Sequence, residues 1–240
     1  MRSSHIYLLL LVFLATVSGV SAERFECLVE PYMEVLVASG VPGILDEVHV
    51  ERGDSVKHGQ VLATLKSNVE RAHYELVKAR AEFAARKAER NVELYLKQMI
   101  SPHEKDELET EAQLLVYELR ETEERLKNRT MNSTLNGVVV ERYMNPGEYV
   151  GEEPILRLAQ IDPLRVEMAL PVRYYGKVTV GMSGQVQFEA PGTSAPTAKV
   201  TVVDPVVDAA SGTIGVRLEL PNPRNRLPAG TKCWVELPVE

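Results

Sequence analysis

The sequence predicts a mainly β chain with an α-helical coiled-coil hairpin, in which the helices split a small β-sandwich and a small β-barrel follows. Three observations carry this. Residues 43–65 align without a gap on residues 137–159, at an offset of 94 residues. The stretch between the copies carries apolar residues at heptad spacing amid dense Glu, Lys and Arg. After Ile161, short apolar runs are punctuated by Pro and Gly.

The repeat comes first. Gly43/Gly137, Glu47/Glu141, Gly53/Gly147, Val56/Val150 and Leu62/Leu156 are identical, and Ile44/Val138, Leu45/Val139 and Val61/Ile155 are apolar in both copies. Two short β halves cannot each bury a face alone, so they are expected to pack on each other. The segment between them must leave and return at one place, which a helical hairpin does.

At the N-terminus, Arg2, an apolar run over residues 6–17 and the small residues Val20-Ser21-Ala22 read as a signal peptide cleaved after Ala22. An uncleaved anchor is the alternative. Residues 25–39 alternate loosely and read as a strand broken at Pro31. Residues 41–65 hold short strands separated by turns at Gly53-Asp54 and His58-Gly59. A first helix is expected from Asn68, its inward stripe being Val69, Ala72, Leu76, Ala79 and Phe83, then Ala88, Val92, Tyr95 and Met99. In the second helix Leu108, Ala112, Leu115, Leu119, Thr122 and Leu126 step 4-3-4-3-4. Between them Ser101 is expected to cap, Pro102 to open the helix and Glu104 to complete a capping box. Asn128 to Ser133 read as a polar re-entry loop, although Asn128-Arg129-Thr130 and Asn132-Ser133-Thr134 match the glycosylation pattern. Strands are expected over 164–170, 184–190, 197–204, 213–220 and 232–237, with a short helix over 172–178.

Composition excludes several functions. Of 240 residues, 34 are acidic and 27 basic, giving a net charge of -7, and removing Arg2 makes it -8. No basic stripe is present to neutralise phosphates, which argues against nucleic acid. G-x-S-x-G, H-E-x-x-H, P-loop and G-x-G-x-x-G motifs are absent, and His49, His58, His73 and His103 do not cluster. Met33, Met144, Met168 and Met182 stand singly and read as core filling. No enzyme, cofactor or metal site is therefore expected. Cys27 and Cys233 are too far apart for a CxxC site, and either a disulfide or two separate thiols fits an exported chain.

The half-repeat resembles the lipoyl/biotinyl domain. Residues 51–62, E-R-G-D-S-V-K-H-G-Q-V-L, carry the resemblance, as do 145–150, N-P-G-E-Y-V, in the second copy. In carriers of that family a modified lysine sits on a tight turn between the halves. Lys66 is nearest to that position, but the chain runs on into the helix at Ser67-Asn68, so a carrier function is disfavoured. A lipoyl-like β-sandwich split by a helical hairpin and followed by a barrel is similar to the periplasmic adaptor (membrane fusion, HlyD-like) family. Residues 203–205 (V-D-P), 211–217 (S-G-T-I-G-V-R), 221–223 (P-N-P) and 227–230 (L-P-A-G) resemble that family's barrel ending.

The resemblance implies a domain plan: signal peptide 1–22, a strand 23–40 joining barrel and lipoyl-like domain, lipoyl-like halves 41–66 and 134–160, helices 67–133 and barrel 161–240. It implies a periplasmic protein that couples an inner-membrane efflux transporter of the resistance-nodulation-division type, or else an ATP-driven exporter, to a TolC-like outer-membrane duct. Self-association into a hexameric ring is also implied. The family's docking tip reads R-x3-L-x6-S, which Arg90, Leu94 and Ser101 match. Larger adaptors add a membrane-proximal β-domain built from both chain ends, for which neither end here is long enough, so the barrel is expected to do more of the seating on the transporter. Rival readings are a lipoyl or biotin carrier, a scaffold outside any pump, and a hydrolytic or metal-binding periplasmic protein.

Overall fold

The computed structural model describes residues 22–189 and 195–239. The expected signal peptide, the end of strand 184–190 and the Pro191-Gly192 turn lie outside the described residues. In chain order the elements are β1 (Ala22–Val37), β2 (Gly43–Val48), β3 (Ser55–Val56), β4 (Val61–Leu65), α1 (Asn68–Leu96), α2 (Pro102–Lys127), β5 (Thr130–Asn132), β6 (Gly137–Arg142), β7 (Tyr149–Val150), β8 (Leu156–Pro171), β9 (Ser183–Phe188), β10 (Thr197–Val203), β11 (Thr213–Leu220) and β12 (Thr231–Pro238). The chain is mainly β, in two compact units. One unit is Glu30–Leu164 with Pro221–Ala229. The other holds the residues up to Val29, Arg165–Leu220 and Gly230–Glu240.

In the first unit the repeat becomes a two-fold exchange. β2 of the first copy pairs with β7 of the second, with Gly43 opposite Val150. β6 of the second pairs with β3 of the first, with Val56 opposite Gly137. The turns repeat the exchange: Gly53 N donates to Val139 O and Val139 N to Asp54 O, while Gly147 N donates to Leu45 O and Leu45 N to Glu148 O, all at 2.8 to 2.9 Å. Gly53 and Gly147 sit at φ +94° and +93°, a region that glycine enters without a Cβ clash. Gly43 and Gly137 are needed for a different reason. A Cβ at Gly137 would meet Ala159 O at 2.2 Å, and one at Gly43 would meet Arg129 Nη1 at 2.7 Å. Leu45, Val56, Leu62, Val139, Val150 and Leu156 fill the shared core. The symmetry breaks at one pair: Ile155 is buried whereas Val61 is exposed.

Two sequence expectations fail in this unit. The re-entry segment is a strand, because Thr130–Asn132 pairs with β4 and buries Met131 beneath it. Its polar neighbours face outward, which hid the alternation in so short a run. β1 also runs unbroken through Pro31, just past Val29–Thr231, the last pair of its ladder with β12, where a missing N–H removes no bond of that ladder.

The helices pack on each other antiparallel, as the Lys87–Glu111 ion pair (3.3 Å) and the Arg129–Glu70 pair (2.5 Å) show. α2 presents the expected stripe, with Thr122 buried and Leu108, Ala112, Leu115, Leu119 and Leu126 half-buried. α1 does not. Its buried residues are Val77, Ala81 and Ala84, continued by half-buried Tyr74, Ala88, Asn91 and Tyr95. That set steps 3-4-3-4-3-4, one position away from the first part of the expected stripe and sharing only Ala88 and Tyr95 with the second part. Val69, Leu76 and Phe83 are 78%, 48% and 57% exposed, and Val92 and Met99 are exposed too. Alanine lets the two backbones approach closely, so the small residues of α1 turn inward and its larger ones face out.

The second unit is an antiparallel sheet ordered β1-β12-β9-β10-β11-β8, with β1 also pairing β8. β11 alternates strictly, burying Ile214, Val216, Leu218 and Leu220. Val186, Ala198, Val200, Val235 and Leu237 complete the interior. Cys27 stands opposite Cys233 in the β1–β12 ladder and the two form a disulfide. The short helix expected over 172–178 is only a 3-10 turn at Val172–Tyr174. Of the four methionines read as core filling, Met168 is buried but Met33 is exposed.

Candidate functional site

The turn between α1 and α2 carries two of the three sequence-matched residues within a few positions. α1 closes at Lys97, whose N–H reaches Glu93 O. Gln98 takes φ +58° and Met99 N donates to Leu94 O at 2.9 Å. Ser101 then caps α2: its Oγ accepts from Glu104 N at 3.1 Å, with Pro102 at the first helical position. Only half of the expected capping box forms, since the Glu104 carboxylate makes no hydrogen bond back to Ser101 N among the described residues. Lys105, one turn on, lies 5.6 Å from the Tyr95 ring and is paired with Glu109 at 2.9 Å. Its hydrogen bond to the Glu109 carboxylate raises the Lys105 pKa above the usual lysine value.

Arg90, Leu94 and Ser101 are all exposed, Leu94 at 37%. Leu94 flanks the inward row through Asn91 and Tyr95, so the helix pair covers it only in part. Arg90 falls seven residues after Phe83, on the outward row of Val69, Leu76 and Phe83. Sequence reasoning missed Leu96 and took Met99 for an inward residue; both stand exposed at the turn. The signal was present, because large apolar residues lay at a helix end beyond the last residue that packing could cover.

The outward row has a counterpart on α2. Phe83 lies one turn before Lys87, and Leu114 one turn after Glu111, so the Lys87–Glu111 pair places both exposed side chains on one flank. Val116 and Tyr117 are exposed farther round α2. At the base, Arg129 clamps the helices to the sandwich, donating to Glu70 at 2.5 Å and to Pro42 O at 3.0 Å. Lys66 is exposed, its N–H bonded to Ile44 O, and α1 begins two residues later, so no tight turn presents it.

No group of three or more His, Cys, Asp or Glu among the described residues could hold a metal ion. No helix among them is long and apolar enough to cross a membrane. The grooves beside the helices are shallow and open, and one of them is lined by His103, Glu107, Glu111 and Leu114.

Comparison with known proteins matches these features. A CzcB-like barrel-sandwich hybrid domain matches residues 33–160, and a CusB-like β-barrel domain matches residues 164–239. An uncharacterized protein of Haemophilus influenzae is 24% identical over 218 residues, covering 89% of this chain; the chain spans 57% of that relative's length. Among solved structures, a MacA-MexA chimera containing the Pseudomonas aeruginosa MexA α-hairpin superposes with a TM-score of 0.78 at 18% identity, over 91% of this chain and 81% of that one. A putative efflux transporter from Bacteroides eggerthii gives 0.74 at 22% identity, over 90% and 68%. A membrane fusion protein from Streptococcus pneumoniae gives 0.71 at 18%, over 91% and 100%. These structural likenesses speak to fold, and the domain matches to family. The chain belongs to the family with the CzcB-like barrel-sandwich hybrid domain.

Proposed function

We propose that this chain is a non-enzymatic periplasmic adaptor that couples an inner-membrane efflux transporter of the resistance-nodulation-division type to a TolC-like outer-membrane duct. The observation that carries the reading is the exposed apolar cluster of Leu94, Leu96 and Met99 at the end of two helices. α2 has 26 residues, which gives it a length of about 39 Å. Apolar residues at the end of such an element have no internal partner and suit a docking contact. The CusB-like barrel match supports the transporter class. The exposed row on α1 and Leu114 on the same flank suit packing between copies in a ring, with six copies as the reading taken from the family.

The test is photocrosslinking in cells from a reactive residue at position 94. A crosslink to an outer-membrane duct protein is the expected result. Good expression with no such partner would sink duct docking and leave Ser101 as a helix cap alone. Leu94→Asp should abolish export without changing folding. Export preserved in a strain that carries only this variant counts against the reading.

A further inference from the structure

We propose that the Cys27–Cys233 disulfide is a latch that closes the barrel on β1 only in an oxidising compartment and, once closed, is shielded from reductants. The strand it fastens comes from outside the barrel's own run of chain. The barrel unit takes β1 only as far as Val29, and the rest of it is Arg165–Leu220 and Gly230–Glu240. All of Glu30–Leu164 lies between, so seating β1 joins segments that are distant in the chain and opposes their chain entropy. The ladder that seats it runs from Ala22 opposite Pro238 to Val29 opposite Thr231. Along it Arg24, Glu26 and Leu28 are exposed, and Phe25, Cys27 and Val29 are the covered residues. β1 thus brings three side chains to the barrel interior where β11 brings four, and one of the three is a cysteine. Beside the ladder, Phe25 packs edge-on against Tyr174 with ring centroids 5.1 Å apart, Glu23 accepts a hydrogen bond from Tyr174 OH, and Arg24 lies 4.8 Å from the Trp234 ring.

The burial of the two cysteines makes the latch one-way. In the closed barrel Cys27 is 5% exposed and Cys233 is fully buried. Thiol–disulfide exchange requires an attacking thiolate to reach a sulfur, and the closed barrel denies that approach. Both the making and the breaking of the bond therefore require β1 to stand off from β12. In the open chain the thiolate of one cysteine attacks the disulfide of a protein thiol oxidant, forming a mixed disulfide and releasing one thiolate of the oxidant. As β1 approaches β12, the register sets Cys27 opposite Cys233, with their Cα atoms 4.9 Å apart. The second cysteine thiolate then attacks the mixed disulfide and expels the oxidant's other thiolate before the strand seats. Two electrons pass from the cysteine pair to the oxidant's disulfide, and the two protons lost by the cysteines end on the oxidant's thiols or in water.

Where the cysteines stay reduced, β1 is held by its ladder alone, and its seating is weaker by about a thousandfold. The edge of β12 that β1 covers is then open, and the barrel is incomplete. Where an oxidant is present, the bond forms as the strand docks and the closed barrel protects it. The compartment dependence rests on the periplasmic reading proposed above, because the chain would meet such an oxidant only after export.

Amide exchange of the purified chain is followed before and after reduction, and Cys233 is labelled with a maleimide in the Cys27→Ser variant. After reduction the β1 amides over residues 23–29 should exchange about a thousandfold faster, while those of β10 and β11 change less than about tenfold. Cys233 should label readily in Cys27→Ser, although it is fully buried in the closed barrel. The oxidised chain should be reduced by dithiothreitol at least about a hundredfold more slowly in buffer than in urea. Protection of both the β1 amides and Cys233 without the bond would overturn the latch, because the ladder would close the barrel alone. Equal acceleration of all barrel strands would overturn it too, since the bond would then hold the whole barrel and not β1. Reduction as fast in buffer as in urea would overturn the shield. These measurements use the chain without a partner and in a chosen redox buffer, and the position-94 crosslink reads the adaptor function, so the two readings can fail separately.

Discussion

Truncating two valines of α1 separates the inward row of that helix from the outward one. Val77 is fully buried and Val69 is 78% exposed. Valine to alanine removes the same atoms at each site, so burial is the main variable. At Val77 the lost transfer free energy is about 1.6 kcal/mol, and the cavity left between the helices adds about 1 kcal/mol. The better helix propensity of alanine returns about 0.5 kcal/mol. The net cost is about 2 kcal/mol for Val77→Ala, and near zero for Val69→Ala, where little surface is buried. Two compact units make a single unfolding transition an unsafe readout. Native-state hydrogen exchange of the helix amides reports the opening directly. Val77→Ala should speed exchange across α1 and α2 about 30-fold, and Val69→Ala less than about twofold. If Val69→Ala accelerates exchange as much as Val77→Ala, the row through Val77, Ala81 and Ala84 is not the packed one, and the argument from alanine-mediated close approach fails.

Phe83→Glu should leave helix exchange unchanged while reducing the assembled mass seen in sedimentation, because the side chain is exposed on the flank assigned to contacts between copies; unaltered assembly would remove that flank from the ring interface. Asn222→Ala should destabilise its unit by about 3 kcal/mol in urea titration, since its buried side chain bonds Ile161 O, Leu227 O and Leu227 N; a loss below about 1 kcal/mol would show that water replaces these bonds. Reducing the Cys27–Cys233 disulfide, which closes a separation of 206 residues, should lower barrel stability by about 4 kcal/mol and raise exchange in β1 first; an unchanged barrel would mean that the β1–β12 ladder holds without it.

The chain sequence by itself determined the features that rest on local repetition. The offset of 94 residues identified two equivalent halves, and glycines 53 and 147 marked turns that demand positive φ whatever surrounds them. The α2 row was legible because Leu108, Leu115, Leu119 and Leu126 repeat along one stripe, although Leu114, Val116 and Tyr117 stand exposed off it. Ser101 and Pro102 marked the start of α2 because a cap is a short-range hydrogen-bond requirement. Only the tertiary structure decided the inward face of α1. That helix has apolar residues on more than one stripe, and side-chain size favours the wrong stripe when counted along the sequence. Packing against α2 rewards close backbone approach, which alanine permits and phenylalanine does not. The role of Arg129 was hidden for a similar reason, because its partners Glu70 and Pro42 lie 59 and 87 residues away. The pairing of Cys27 with Cys233 likewise depended on β1 and β12 becoming neighbours, a register that a separation of 206 residues does not reveal. Local chemistry wrote the turns, caps and strands, while contacts between distant segments chose which faces of them are buried and which are left to meet a partner.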